Sequence, residues 1–160
     1  MYGKQTETAI AAVSRLAELY DGGKTRLSAA EIAKSRGLPV PVVSKILGAL
    51  AQAGLVTGSR GPGGGYTLAK PPSSIKIYDV FCLFEREDLS TACPFGGGTC
   101  GVGEDCPLHH RLVQVKAAMD QMLHETTFQG FAEAGPAEQR APGNGAPPAS
   151  RASYRATKPR

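Results

Sequence analysis

No stretch of this 160-residue chain approaches the roughly 18 consecutive apolar residues that a membrane-spanning helix requires. The opening MYGKQTETAIAAV has neither a long apolar segment nor a small-residue cleavage site, so no secretory signal is read there. A soluble, cytoplasmic protein with no membrane partner is expected. There are no internal repeats and no nucleotide-binding motif, which weakens any reading as a redox enzyme. Only four cysteines are present. A cytosolic chain keeps them reduced, so a disulfide scaffold is not expected. From Gly135 onward there is no Leu, Ile, Val or Met and a single aromatic, Tyr154. Such a segment cannot bury enough apolar surface to offset its ordering entropy, and residues 135–160 are expected to form a disordered basic tail.

Glycine and proline, by contrast, are abundant, at 20 and 12 residues. Charge is segregated beneath a net value of +4: residues 1–70 hold nine Lys/Arg against four Asp/Glu, 71–135 hold four against nine, and 136–160 hold five against one. A basic first segment suits a polyanionic partner; the acidic middle does not.

The first segment reads as three helices and a hairpin. Ala9/Ile10, Val13, Leu16/Ala17 and Tyr20 form a helical stripe from about Gln5 to Tyr20, which Asp21-Gly22-Gly23 ends. Ser28-Ala29-Ala30-Glu31 is a capping-box pattern that opens a short second helix, with Ile32 and Ala33 inward and Gly37 as its stop. Pro41 suits the first turn of a third helix, where a missing N–H costs nothing; Val43, Ile46/Leu47 and Leu50 point inward. Leu55-Val56-Thr57 and Tyr66-Thr67-Leu68 then flank a glycine-rich turn. This order and spacing predict a winged helix-turn-helix over residues 1–72. A short apolar helix follows from Ile77 to Glu85, then a glycine-rich loop. A last helix begins near Cys106, with Leu108, Leu112, Val115, Met119 and Met122 at the 3.5-residue spacing of a coiled-coil seam. The expected fold is mainly α with a small β-hairpin, the winged helix-turn-helix being followed over 73–134 by the loop and a long C-terminal dimerisation helix.

Cys82, among Phe81, Leu83 and Phe84, reads as a buried core cysteine. Cys93, Cys100 and Cys106 form C-x6-C-x5-C around the glycine run, and His109 lies three residues beyond the last. Zinc is one reading, since three cysteines and a histidine are a legitimate zinc set, but zinc knuckles pair cysteines at shorter gaps. A wider ring of thiolates suits an iron–sulfur cluster better. Three unrelated surface cysteines are the bland alternative.

The stretch AGLVTGSRGPGGGYTLAKPPSSI, the early KQTETAI and the C-x6-C-x5-CPLHH loop together resemble the IscR, NsrR and RirA family of Rrf-type winged-helix transcription regulators. The resemblance runs from residue 1 to about 130. It implies a homodimer that binds double-stranded DNA at a partly palindromic operator, acting as repressor or activator under control of a [2Fe-2S] or [4Fe-4S] cluster. It implies Cys93, Cys100 and Cys106 as cluster ligands. For the fourth ligand it offers His109, which matches IscR-like members, or Glu7, where NsrR-like members place a carboxylate. It implies DNA contacts from Ser44 and Lys45 on the outward face of the third helix and from the wing, where Arg60 leads and Gly61 allows close approach to the backbone. Two departures stand out: the third helix opens on Pro39-Val40-Pro41-Val42 where the family often has a polar residue, and the first cysteine gap is six rather than five. The alternatives from other classes are a thiol- or zinc-dependent winged-helix regulator without iron, and a cluster-carrying redox protein.

Overall fold

The computed structural model describes residues 3–85, 99 and 107–136. Helix α1 (Lys4–Glu18) lies at the centre of the fold, with the next two helices, the apolar helix that begins at Ile77 and the short helix that begins at Gln129 packed around it. Its inward face is made of small residues: Ala9, Ala12 and Ala17 are fully buried beside Val13 and Leu16, which lets neighbouring backbones approach closely.

Helix α2 (Ala29–Arg36) starts with a reciprocal capping box. The Glu31 N–H donates to Ser28 Oγ at 3.2 Å, and the Ser28 N–H donates to Glu31 Oε2 at 2.7 Å. At its other end Arg36 reaches α1, donating to the Ala11 carbonyl at 3.2 Å, Ser14 Oγ at 3.0 Å and Glu18 Oε1 at 2.8 Å. The Glu18 side chain is fully enclosed and also accepts from Arg15 at 3.0 Å. Two arginines share this enclosed carboxylate, and the one from α2 ties that helix to α1.

Helix α3 (Val40–Gln52) carries Pro41 in its first turn and buries Val43, Ile46, Leu47 and Leu50, as the periodicity predicts. Strands β1 (Val56–Ser59) and β2 (Gly65–Leu68) form an antiparallel hairpin with Val56 opposite Leu68 and Ser59 opposite Gly65. The chain ahead of α2 joins this hairpin: the Leu27 N–H donates to the Tyr66 carbonyl at 3.0 Å and the Tyr66 N–H returns to Leu27 at 2.8 Å. A Cβ at Gly65 would stand 2.8 Å from the Leu27 backbone, so this close approach requires glycine.

After a single 3-10 turn at Pro72–Ser74 come α4 (Ile77–Phe84), α5 (His109–Glu125) and α6 (Gln129–Ala134). Ile75, Ile77, Val80, Leu123 and Phe128 join the same core cluster as the α1 and α3 residues. The C-terminal end of α5 is strapped down. The Ile77 N–H donates to the Thr126 carbonyl and the Phe128 N–H to the Ile75 carbonyl, both at 3.0 Å, and the Tyr78 and His124 rings stack at 4.0 Å.

Four details differ from expectation. The last helix begins at His109, three residues after Cys106, and α6 was not anticipated. The side chain that α5 buries is Leu123, outside the expected stripe. Cys82 is exposed rather than part of the core. On α4 the buried residues are Ile77 and Val80, and at 100° per residue Cys82 falls on the opposite side of that helix. The expected tail beyond residue 136 lies outside the described residues.

Candidate functional site

Two groups of residues were singled out from sequence, one for DNA and one for a metal centre. The first is built from α3 and the hairpin. The core anchors one side of α3 through Val43, Ile46, Leu47 and Leu50, which turns Ser44 and Lys45 outward, and both are exposed. Arg60 and Gly61 lie exposed in the turn between β1 and β2. Gly61 has φ +98°, and its carbonyl accepts from the Gly64 N–H at 2.9 Å. A side chain is rarely stable at that φ, so glycine there keeps the tip narrow. A helix presenting a polar, cationic face and a narrow hairpin led by an arginine can meet a major groove and the adjacent phosphate or minor groove of one duplex.

The second group concerns the cysteines. Cys93, Cys100 and Cys106 lie outside the described residues. The two candidate fourth ligands are described. Glu7 is exposed on the first turn of α1, its N–H donating to the Gly3 carbonyl at 3.1 Å. His109 is half-buried at the start of α5, its ring centroid 6.4 Å from that of His110. Among the described residues no group of three or more His, Cys, Asp or Glu is placed to hold a metal ion, so any such centre must draw on the cysteine segment. The first described residue before that segment, Glu85, is fastened to the start of α1: its Oε1 accepts from the Gly3 N–H at 2.6 Å and from the Thr6 hydroxyl. Sequence reasoning missed this contact, which joins positions 82 residues apart.

The Rrf2 profile, described as an iron-dependent transcriptional regulator, matches residues 2–134. The chain belongs to the Rrf2 family. It is 30% identical over 120 residues to the HTH-type transcriptional regulator IscR of Cereibacter sphaeroides, covering 74% of this chain and 77% of that one. The solved structure of IscR from T. potens superposes with a TM-score of 0.63 at 25% identity, over 89% of this chain and 93% of that one. CymR, the global cysteine regulator of B. subtilis, superposes with a TM-score of 0.64 at 23% identity over 83% of this chain and 96% of that one, and shares the fold. As an Rrf2 member the protein is a DNA-binding transcription regulator built on a winged helix, and not an enzyme. No described helix is long and apolar enough to cross a membrane.

Proposed function

We propose that this Rrf2 protein binds its operator as a homodimer under the control of an iron–sulfur cluster held by Cys93, Cys100 and Cys106. The observation that carries the reading is the donor set: three thiols within fourteen residues, ringed by glycines, with an imidazole three positions beyond the last. This chemistry fits a [2Fe-2S] or [4Fe-4S] centre, and the family's iron-dependent description and the IscR-named relatives support it. His109 or Glu7 completes the set; a non-thiolate ligand makes one iron more labile than the rest, which suits a sensor. Bound, the cluster supplies a redox- and iron-responsive crosslink. The chain's own residues connect it to the rest of the fold, since the cysteine segment leaves α4 at the Glu85 clamp and enters α5 at His109.

The dimer rests on α5. Leu108, Val115 and Met122 share one side of this helix and are exposed by 41–67%, an apolar face that one chain alone leaves uncovered. A second copy of the helix covers it and places two winged helices on a two-part site.

The test is protein purified without oxygen. A brown solution with charge-transfer bands, and iron and sulfide in equal counts, is expected from wild type and from Cys82→Ala. Loss of the stable cluster is expected from Cys93→Ala, Cys100→Ala or Cys106→Ala. Among His109→Ala and Glu7→Ala, only the variant of the true fourth ligand alters the spectrum. Colourless wild type with zinc or bare thiols supports instead a thiol- or zinc-dependent regulator.

A further inference from the structure

The leading turn of α3 has a character of its own. Pro39, Val40, Pro41 and Val42 are all exposed, Val40 by 43% and Val42 by 40%. The N-cap Pro39 makes no side-chain hydrogen bond, and none of the four side chains has a donor or an acceptor. Of the seven large apolar residues left exposed among those described, four lie at or along α5 and one on α4; these two valines stand apart on the reading helix. Nothing in the core needs them, because α3 is already anchored by Val43, Ile46, Leu47 and Leu50.

In a helix-turn-helix the N-terminal residues of the second helix meet the base edges of the major groove. An apolar nose cannot accept or donate there. The one apolar group that a base pair presents in that groove is the C5-methyl of thymine. Val40 lies one turn ahead of Ser44 (i, i+4) and Val42 one turn ahead of Lys45 (i, i+3), so each apolar contact has a polar residue behind it on the same helix face.

We propose that Val40 and Val42 are specificity-determining residues that read thymine methyl groups in the operator half-site. The inference rests on the DNA-binding reading of the winged helix but not on the cluster. It implies half-sites chosen for where their methyl groups sit, with Lys45 and Arg60 supplying the charge that holds the duplex.

The test uses the full chain and a duplex enriched from random-sequence DNA. Each thymine is replaced singly by deoxyuracil, which removes the methyl and leaves every hydrogen-bonding group in place. The expected result is a roughly fourfold rise in Kd for each methyl contacted, at one or two thymines per half-site. In Val40→Ala and Val42→Ala the difference between thymine and uracil disappears at the matching position, while the circular dichroism and melting temperature stay those of wild type. Uracil tolerated at every position, or an undiminished thymine preference in both valine variants, overturns the proposal. Failure to enrich any sequence overturns the operator-binding reading itself, and with it this one.

Discussion

The Thr6 hydroxyl donates to the carboxylate of Glu85, 79 residues further along the chain. Thr6 is fully buried, and the Gly3 N–H shares the same carboxylate oxygen. The N-terminus of the central helix and the start of the cysteine segment are therefore held at one point. Glu85→Ala leaves a buried hydroxyl without this acceptor and is expected to cost about 1–3 kcal/mol in unfolding free energy. Glu85→Gln retains one carbonyl oxygen that can take both donors, and is expected to recover most of that loss. Urea denaturation of the two variants checks the difference.

The capping box gives a pH dependence with a definite sign. The side-chain and then the backbone hydrogen bond from Ser28 hold the Glu31 carboxyl below the usual carboxylate range. Because folding lowers this pKa, its contribution is complete above the unfolded value and is lost as the pH falls through the folded one. An NMR titration is expected to place the Glu31 midpoint below that of an ordinary glutamate. In Ser28→Ala the midpoint moves up, and helix α2 loses about 1 kcal/mol of capping at neutral pH.

The α5 face separates residues assigned to the proposed dimer from residues that serve the fold. Val115 is 67% exposed and Met122 41%, whereas Met119 packs partly against the protein's own core. Val115→Asp together with Met122→Asp is expected to yield a folded monomer, because an unpaired charge would be buried in the seam. Sedimentation of this double variant checks the state, and its operator binding is expected to fall with the loss of the dimer. An aspartate at Met119 confounds the two effects by unsettling the monomer as well.

The two proposed cationic contacts are expected to differ in kind. Arg60→Ala should weaken the specific operator by about 1–3 kcal/mol if the guanidinium enters a groove. Lys45→Ala should weaken all sequences more evenly and flatten the dependence of log K on log salt by about one unit. Titrations of both variants at several salt concentrations separate these outcomes.

Much of this arrangement was legible in the chain. Ser28 and Glu31 announced the start of α2, Pro41 the start of α3, and the 3.6-residue spacing of Val43, Ile46, Leu47 and Leu50 fixed which way Ser44 and Lys45 face. At Cys82 neighbours and periodicity disagree: a run of apolar residues suggests burial, but the spacing of Ile77 and Val80 turns position 82 outward. Leu123 falls outside the heptad through Leu108, Leu112, Val115, Met119 and Met122, which is internally consistent without it. Which side of α5 faces the core is set by α4 and by the strap at Thr126 and Phe128, a tertiary choice that no local period encodes. The Glu85 clamp was invisible for the same reason. For Cys93, Cys100 and Cys106, which lie outside the described residues, the ligand assignment stands on residue type and spacing.

A regulator of the proposed kind couples its cluster site to its DNA site. The most direct test is the operator Kd of one anaerobic preparation, measured before and after its cluster is removed, beside that of Cys100→Ala. A coupling of the usual size changes Kd by roughly 5- to 150-fold, and Cys100→Ala is expected to match the cluster-free wild type. Equal affinity for the operator in all three states would contradict the account.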